Sequence, residues 1–322
     1  MSDHVIPTLI ADWSYETDLT LAHKSGLKVF FPRRKPGLTP ARCLGYHVND
    51  DMVFESHRST LVRGDSEPKS PQQILDLIAE AEALFHNFPA GSPGAPRSIK
   101  RDLLLRLAEK RQTALWEGYG QIGEFHNGAY ESSHVSPITK SAGTVDAKIF
   151  IFLRDWASEP DLLAPLDRDA RDLGYIQREQ ATQKNLAILL QRHFNCDLSE
   201  AYATTLFPFI RRGDIPYLDL ERAAFEFGIP QLKIIAPKLV ICLGLETFNV
   251  LRRIQRLDRV RDLAEGINQS FRFHNADVCV QAHTGFYGKM KRRSGIDEDW
   301  RSMSALFKRS AKSSSISASD QS

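Results

Sequence analysis

Apolar residues come in two rhythms over the last two thirds of the chain. Short unbroken runs occur at 147–153 (AKIFIFL), 238–244 (KLVICLG) and 277–283 (DVCVQAH), with a fourth at 201–207 (AYATTLF). Runs this short, closed by polar residues, Gly or Pro, predict strands buried on both faces. Between them the apolar positions recur at helical spacing. ATQKNLAILLQRHF (181–194) places Leu186, Leu189, Leu190 and Phe194 on one stripe. Residues 218–236 predict a helix kinked or divided by Pro230 and stopped by Pro237. In 246–257, Val250, Leu251 and Ile254 face inward, with Arg252, Arg253, Arg256 and Arg259 elsewhere. Residues 297–310 put Trp300, Met303, Leu306 and Phe307 on one face. Alternating strand and helix predicts an α/β fold: a central, mostly parallel four-stranded sheet flanked by helices on both faces.

The first third is patterned differently. GLKVFF (26–31) predicts a strand, and RCLGYHV with DMVFES predicts a hairpin around Asn49, Asp50 and Asp51. Residues 70–88 predict a helix, and PAGSPGAP (89–96) a linker. Residues 1–95 are therefore expected to form an N-terminal extension, 96–310 the main domain, and the Ser-rich 311–322 a disordered tail. A further helix is expected over 98–116. The long stretch 118–147 is expected to be functional and could lie over the pocket mouth, as loops of that length usually are; for its His126, Tyr130, Glu131 and His134, ordinary loop hydrogen bonding is the favoured role.

Composition narrows this picture only slightly. Of 322 residues, 42% are hydrophobic and 25% charged, as in ordinary globular proteins. No apolar run approaches the ~20 residues of a membrane span, and the N-terminus lacks a basic-then-apolar leader. A cytoplasmic monomer without membrane contact is expected. Cys43, Cys196, Cys242 and Cys279 are far apart, so no disulfide, metal or cofactor is expected. Neither G-x-x-x-x-G-K-[ST] nor G-x-G-x-x-G occurs. The net charge of +2 neither requires nor excludes nucleic acid, because local patches decide that.

In an open α/β sheet, ligands bind beyond the carboxyl ends of the strands. The run 147–153 delivers Arg154, Asp155 and Trp156 there, and the run 277–283 delivers His283. The plainer alternatives are that Asp155 caps the next helix and that His283 is satisfied by backbone. A carboxylate beside a sugar C1′ stabilises an oxocarbenium-like centre and orients water. An imidazole donor stabilises a departing base. TGFYGKMKRR (284–293) follows His283. Phe286, Tyr287 or Met290 could wedge into a duplex, while Lys289, Lys291, Arg292 and Arg293 hold phosphates, with Arg211 and Arg212 a second such pair.

The order of these parts resembles the uracil-DNA glycosylase superfamily over about residues 98–310. The resemblance rests on FLRDWASEP, TQKNL, ATTLFPF, PKLVICLG and AHTGFYGKMKRR, with VSPITKSAG before the first strand. It implies a monofunctional DNA glycosylase that flips a base from the stack. Asp155 and His283 would be catalytic, and Trp156, Tyr175, Asn185 and Thr205 would contact the base. DNA would be the partner.

The departures bear on substrate. Thr205 stands where many relatives carry Asn, and a hydroxyl lacks the paired donor and acceptor of an amide. Thr284 replaces the Pro after the motif histidine, and Leu153 or Arg154 the usual Gly. No cysteine pattern matches the iron–sulfur cluster of some subfamilies. The base is thus uracil or a modified pyrimidine, and a defence enzyme removing modified cytosine, for example glucosylated hydroxymethylcytosine, from phage DNA is the close alternative. A non-catalytic sensor of modified bases and an unrelated nucleoside hydrolase are the others.

Overall fold

The computed structural model describes residues 13–17, 20–23, 27–30, 45–48, 53–55, 97–177, 181–274, 276–292 and 295–319. The chain divides into two units, Met1–Leu103 and Leu104–Ser322. The first holds an antiparallel meander, β1 (Trp13–Thr17), β2 (Thr20–His23), β3 (Leu27–Phe30), β4 (Gly45–Val48) and β5 (Val53–Glu55), paired in chain order. The expected strand at 26–31 and the hairpin around Asn49 are β3 and the β4–β5 pair. The helix expected at 70–88, the linker and Cys43 lie outside the described residues.

The second unit is built on a five-stranded sheet. Its members are β7 (Ile149–Asp155), β8 (Tyr202–Phe207), β10 (Leu239–Leu243), β11 (Phe271–Phe273) and β12 (Ala276–Gln281), in the order β11-β12-β10-β7-β8. The last four are parallel neighbours and match the four apolar runs. β11 is a fifth, antiparallel edge strand, so the expected count of four is corrected to five. Only Phe273 of its three residues is buried, which leaves no apolar run to find. A two-residue ladder joins β6 (Tyr119–Gly120) to β9 (Ile210–Arg211).

Helices cover both faces. Side chains alternate along a strand, so Ile149, Ile151 and Leu153 of β7 share one side. They pack with Ala203, Ile241 and Cys279 against Leu186, Leu189 and Leu190 of α4 (Ala181–Phe194) and Trp300 and Met303 of α10 (Gly295–Ser319). Truncating a fully buried leucine such as Leu186 to alanine costs about 2–5 kcal/mol. The other side is aromatic. Phe150 stacks on Tyr202 at 5.1 Å and touches Phe152 at 4.7 Å. Gly228 lies against Phe152 and Leu206, and Tyr202 Oη donates to Gln231 at 2.9 Å. These contacts come from α5 (Tyr217–Ala223), a π turn at 224–228, and α6 (Ile229–Ile235), whose first turn holds Pro230. Pro230 divides the segment as expected, without ending it.

Three local expectations change. Arg252 of α7 (Leu245–Ile254) is buried, because its guanidinium donates to the carbonyls of Asp258 at 2.7 Å and Gln269 at 3.4 Å. Leu306 is exposed, and the buried face of α10 continues through Ser304 instead. The last helix also runs on through 311–319, the segment expected to be disordered.

The stretch 118–147 is pinned rather than loose. Arg111 of α1 (Arg97–Thr113) is fully buried and grips Glu131 with both nitrogens, one at 2.7 Å, and the carbonyl of His134 at 3.1 Å. Tyr130 packs on Trp156 at 5.2 Å, and His126 Nε2 meets the Leu162 carbonyl at 2.8 Å. Ordinary loop bonding accounts for His126, Tyr130 and Glu131. Cys242 and Cys279 are buried thiols, and burial pushes Cys279 up to about 12. No helix among the described residues is long and apolar enough to cross a membrane.

Candidate active site

Asp155 ends β7, level with Phe207 of β8. It does not cap the next helix. That work is done by Ser158, whose backbone N–H and hydroxyl both donate to Asp161 in a capping box at the start of α2 (Glu159–Leu162). The Asp155 side chain, 16% exposed, instead accepts from Arg211 Nε at 2.9 Å, with Arg154 at 3.9 Å on its other oxygen. Arg154 in turn pairs with Glu246 at 2.7 Å. Arg211 reaches Asp155 because β9 is held on β6, and because Tyr119, beside it in that ladder, donates to Asp219 at 2.6 Å. Burial and the Asp219 contact push the Tyr119 phenol upward, which keeps it a donor.

His283 lies two residues beyond β12. Its Nδ1 accepts the backbone N–H of Gly285 at 3.1 Å. A ring nitrogen that accepts carries no proton, so in the neutral imidazole the proton sits on Nε2. Nε2 has no protein partner among the described residues. Burial pushes the imidazole below its ordinary value, and the nearby Asp155 charge pulls it partly back. The loop is clamped from α4: Thr284 Oγ1 donates to the Thr182 carbonyl at 2.8 Å, and Asn185 Nδ2 to the Thr284 carbonyl at 2.8 Å. α9 (Phe286–Arg292) then turns back so closely that a Cβ on Gly288 would stand 1.8 Å from the His283 carbonyl oxygen.

β10 runs between β7 and β12, which sets Asp155 and His283 about 10 Å apart along the sheet edge. Gly244 follows β10, at φ +108, where a Cβ would meet nothing within 4 Å. The carboxylate and the imidazole therefore stand at the same end of the sheet, with Gly244, a residue without a side chain, after the strand between them. No protein-family model and no curated protein matches the chain.

The other expected site residues fall into three groups. Thr205 and Tyr175 lie on the α4 side of the sheet. Thr205 is fully buried and its hydroxyl has no partner among the described residues. Tyr175 follows Gly174, which ends α3 (Arg168–Asp172) at φ +79 in a turn where any Cβ would strike the Pro137 carbonyl. Tyr175 is half-buried and shares a hydrogen bond with Ser141 at 2.9 Å.

Trp156, Asn185, Arg211 and Arg292 do other work. Trp156 is buried in a cluster with Tyr130 and Ile176, and its Nε1 donates to the Gly174 carbonyl at 3.0 Å. It supports the Tyr175 turn rather than meeting a base. Asn185 holds the His283 loop, and Arg211 holds Asp155. Arg292 makes a two-pronged pair with Asp299 at 2.7 and 2.9 Å, which neutralises it.

At the rim, Arg212 lies 3.4 Å from Glu159 and 3.7 Å from Glu124. Phe286 is 69% and Met290 47% exposed, one helical turn apart on α9. The backbone of α9 also carries Tyr287, Lys289 and Lys291, while Arg293 lies outside the described residues. No group of three or more His, Cys, Asp or Glu side chains among the described residues is placed to hold a metal.

Proposed function

We propose that this protein is a monofunctional DNA glycosylase acting on uracil or a modified pyrimidine that it has flipped from the duplex. The observation that carries the proposal is the pair of groups at one sheet edge: a carboxylate after β7 and an Nε2–H imidazole after β12, with the bare end of β10 between them. The motif order in the sequence supports the same assignment.

The chemistry follows from the two groups. Asp155 stabilises positive charge growing at C1′ and orients a water molecule on it. The water oxygen bonds C1′, the C1′–N bond breaks, and its electron pair leaves with the base. The water's proton passes to the carboxylate or to solvent. His283 donates Nε2–H to a base oxygen, where the leaving charge collects. Phe286 and Met290 are the exposed apolar pair beside the site, suited to fill the gap left by the flipped nucleotide.

The ion pair between Asp155 and Arg211 favours a second reading, a base sensor that binds without cutting, because it neutralises the carboxylate at rest. Base release from matched duplexes, scored by alkaline strand breakage, decides between them. The panel holds uracil, mismatched thymine, hydroxymethylcytosine and its glucosylated form. Wild type is expected to release at least one base, and Asp155→Asn and His283→Ala to slow release by about 10²–10⁴-fold. Release only of a modified cytosine would make this a defence-type enzyme. Tight binding with no release would leave the sensor.

A further inference from the structure

Surface arginines of the second unit commonly answer a carboxylate: Arg154 pairs with Glu246, Arg212 with Glu159, Arg222 with Glu226 and Arg272 with Asp277. Arg256, Arg259 and Arg261 do not. All three are exposed, and none has a carboxylate partner among the described residues. We infer that the loop 255–262 is a phosphate-binding surface for the DNA strand flanking the flipped nucleotide. The inference rests on the glycosylase reading for its occupant and on the following geometry for its place.

The loop joins α7 to α8 (Leu263–Ile267) and is held from inside. Asn249 of α7 is buried and spends its whole amide on Val260, accepting the backbone N–H and donating to the carbonyl, each at 3.0 Å. The buried Arg252 donates Nε to the Asp258 carbonyl at 2.7 Å, and its own carbonyl accepts the Leu257 N–H at 2.9 Å. Asp262 caps α8 by accepting the Glu265 N–H, and Glu265 accepts the Arg261 N–H at 2.8 Å. Buried groups thus fix the backbone at 257, 258 and 260, while 256, 259 and 261 carry arginines outward. A surface set before its ligand arrives loses little freedom on binding.

Two contacts place the loop on the flank of the site. Gly266 packs between Leu245, Val260 and Val280, so the middle of the loop lies against the first residue of α7 and the last turn of β12. These are the ends that carry Gly244 and His283. Tyr217 marks the other side. Burial raises its phenol, and the charges acting on it are Glu221, Arg253, Arg259 and Glu246. Glu246 is the residue bonded to Arg154, next to Asp155. Arg253 covers the Tyr217 ring at 5.4 Å and pairs with Glu221 at 3.3 Å, which leaves Arg259 as the free charge there. All of this lies within the length of α7, about 15 Å, which a DNA strand covers in about four or five nucleotides.

The backbone supplies a further sign. Arg256 has φ +59 just past the end of α7, where glycine or asparagine is the usual residue. A long side chain is disfavoured in that conformation. Keeping an arginine there costs stability and gains a charge beside two others. A single acid would satisfy one guanidinium. A row of them matches a row of phosphates.

The test measures duplex affinity against salt for wild type, Arg256→Gln/Arg259→Gln/Arg261→Gln, Arg256→Gly and the control Arg301→Gln, whose arginine pairs with Glu298 on α10. The slope of log affinity against log salt should fall by about 1 per arginine removed, so by about 3 in the triple variant. The loss should be the same for every duplex of the panel, since phosphates carry no base identity. Arg256→Gly should lose about 1 from the slope while melting at or above the wild-type temperature, because it relieves the left-handed backbone. Arg301→Gln should keep the wild-type slope. An unchanged slope in the triple variant would overturn the inference, as would an equal loss in Arg301→Gln, which would reduce the effect to net charge. A lowered melting temperature in the triple variant would make these arginines supports of the fold and would also overturn it. If wild type binds duplex with the expected slope change in the variants but releases no base, glycosylase action fails and the surface stands. If it releases base and the variants bind as wild type does, the surface fails and glycosylase action stands.

Discussion

Asp155 is held by a side chain and His283 by backbone. The carboxylate depends on Arg211, a half-exposed guanidinium that solvent and salt can reach. The imidazole depends on the Gly285 amide and on a helix turn packed against its own carbonyl. The first arrangement fixes a charge and can be reset by another charge. The second fixes a tautomer and can be changed only by moving the chain. If the substrate is DNA, as proposed, the site gains from this division, since its donor stays set while its carboxylate answers to the local field.

The sharpest way to break that contrast is at Gly288. Gly288→Val must push α9 away from His283, and a displacement near 1 Å is enough to cost about 100-fold in rate. Base release is expected to fall at least that far while Asp155→Asn adds little on top. Full activity in Gly288→Val would show that the backbone does not set the imidazole.

Arg211→Gln should cost less, about tenfold in kcat, the worth of one charge-assisted hydrogen bond. Its signature is what does not change. The dependence of DNA affinity on salt should keep the wild-type slope, whereas a phosphate contact would lower it. A reduced slope would return Arg211 to the DNA-binding role expected from sequence.

The smallest effect is in stability. An unfolded histidine titrates near ~6.5. In the folded chain burial pushes both His283 and His134 lower, with Lys140 also depressing His134. The unfolded state therefore takes up protons first as pH falls. Stability should be greatest above the unfolded value and decline as pH drops through it toward the folded values. Denaturant melts from about pH 8 to about pH 5 should show that decline, and His283→Gln should flatten part of it, with His134 supplying the rest. An unchanged profile in His283→Gln would deny the burial of that ring.

What the sequence revealed was what burial writes into it. β7, β8, β10, β12 and α4 appeared as apolar runs or stripes at nearly their observed bounds, and the strand ends pointed to Asp155 and His283. What it concealed were contacts made by few residues across long distances. β6 and β9 are two residues each and leave no periodic trace, so Arg211 read as a free cation. Asn185 read as a base contact, since nothing local announces a bond to a backbone carbonyl ninety-nine residues on. One signal was available and unused. The sequence Ser158-Glu159-Pro160-Asp161 is a capping box, which already freed Asp155 from helix capping.

The ties that assemble the site have a consequence for how the chain reaches its native state. Arg211 and Asp155 are 56 residues apart, Asn185 and Thr284 are 99, and Tyr119 and Asp219 are 100. Closing loops of that length is entropically costly and comes late in folding. A chain with its central strands paired, but β9 undocked and the 284–292 turn unclamped, has a hydrophobic core and no competent edge. Under the proposed function, cutting ability is coupled to the completion of folding, and partly folded molecules should be harmless to a genome before they are useful to it.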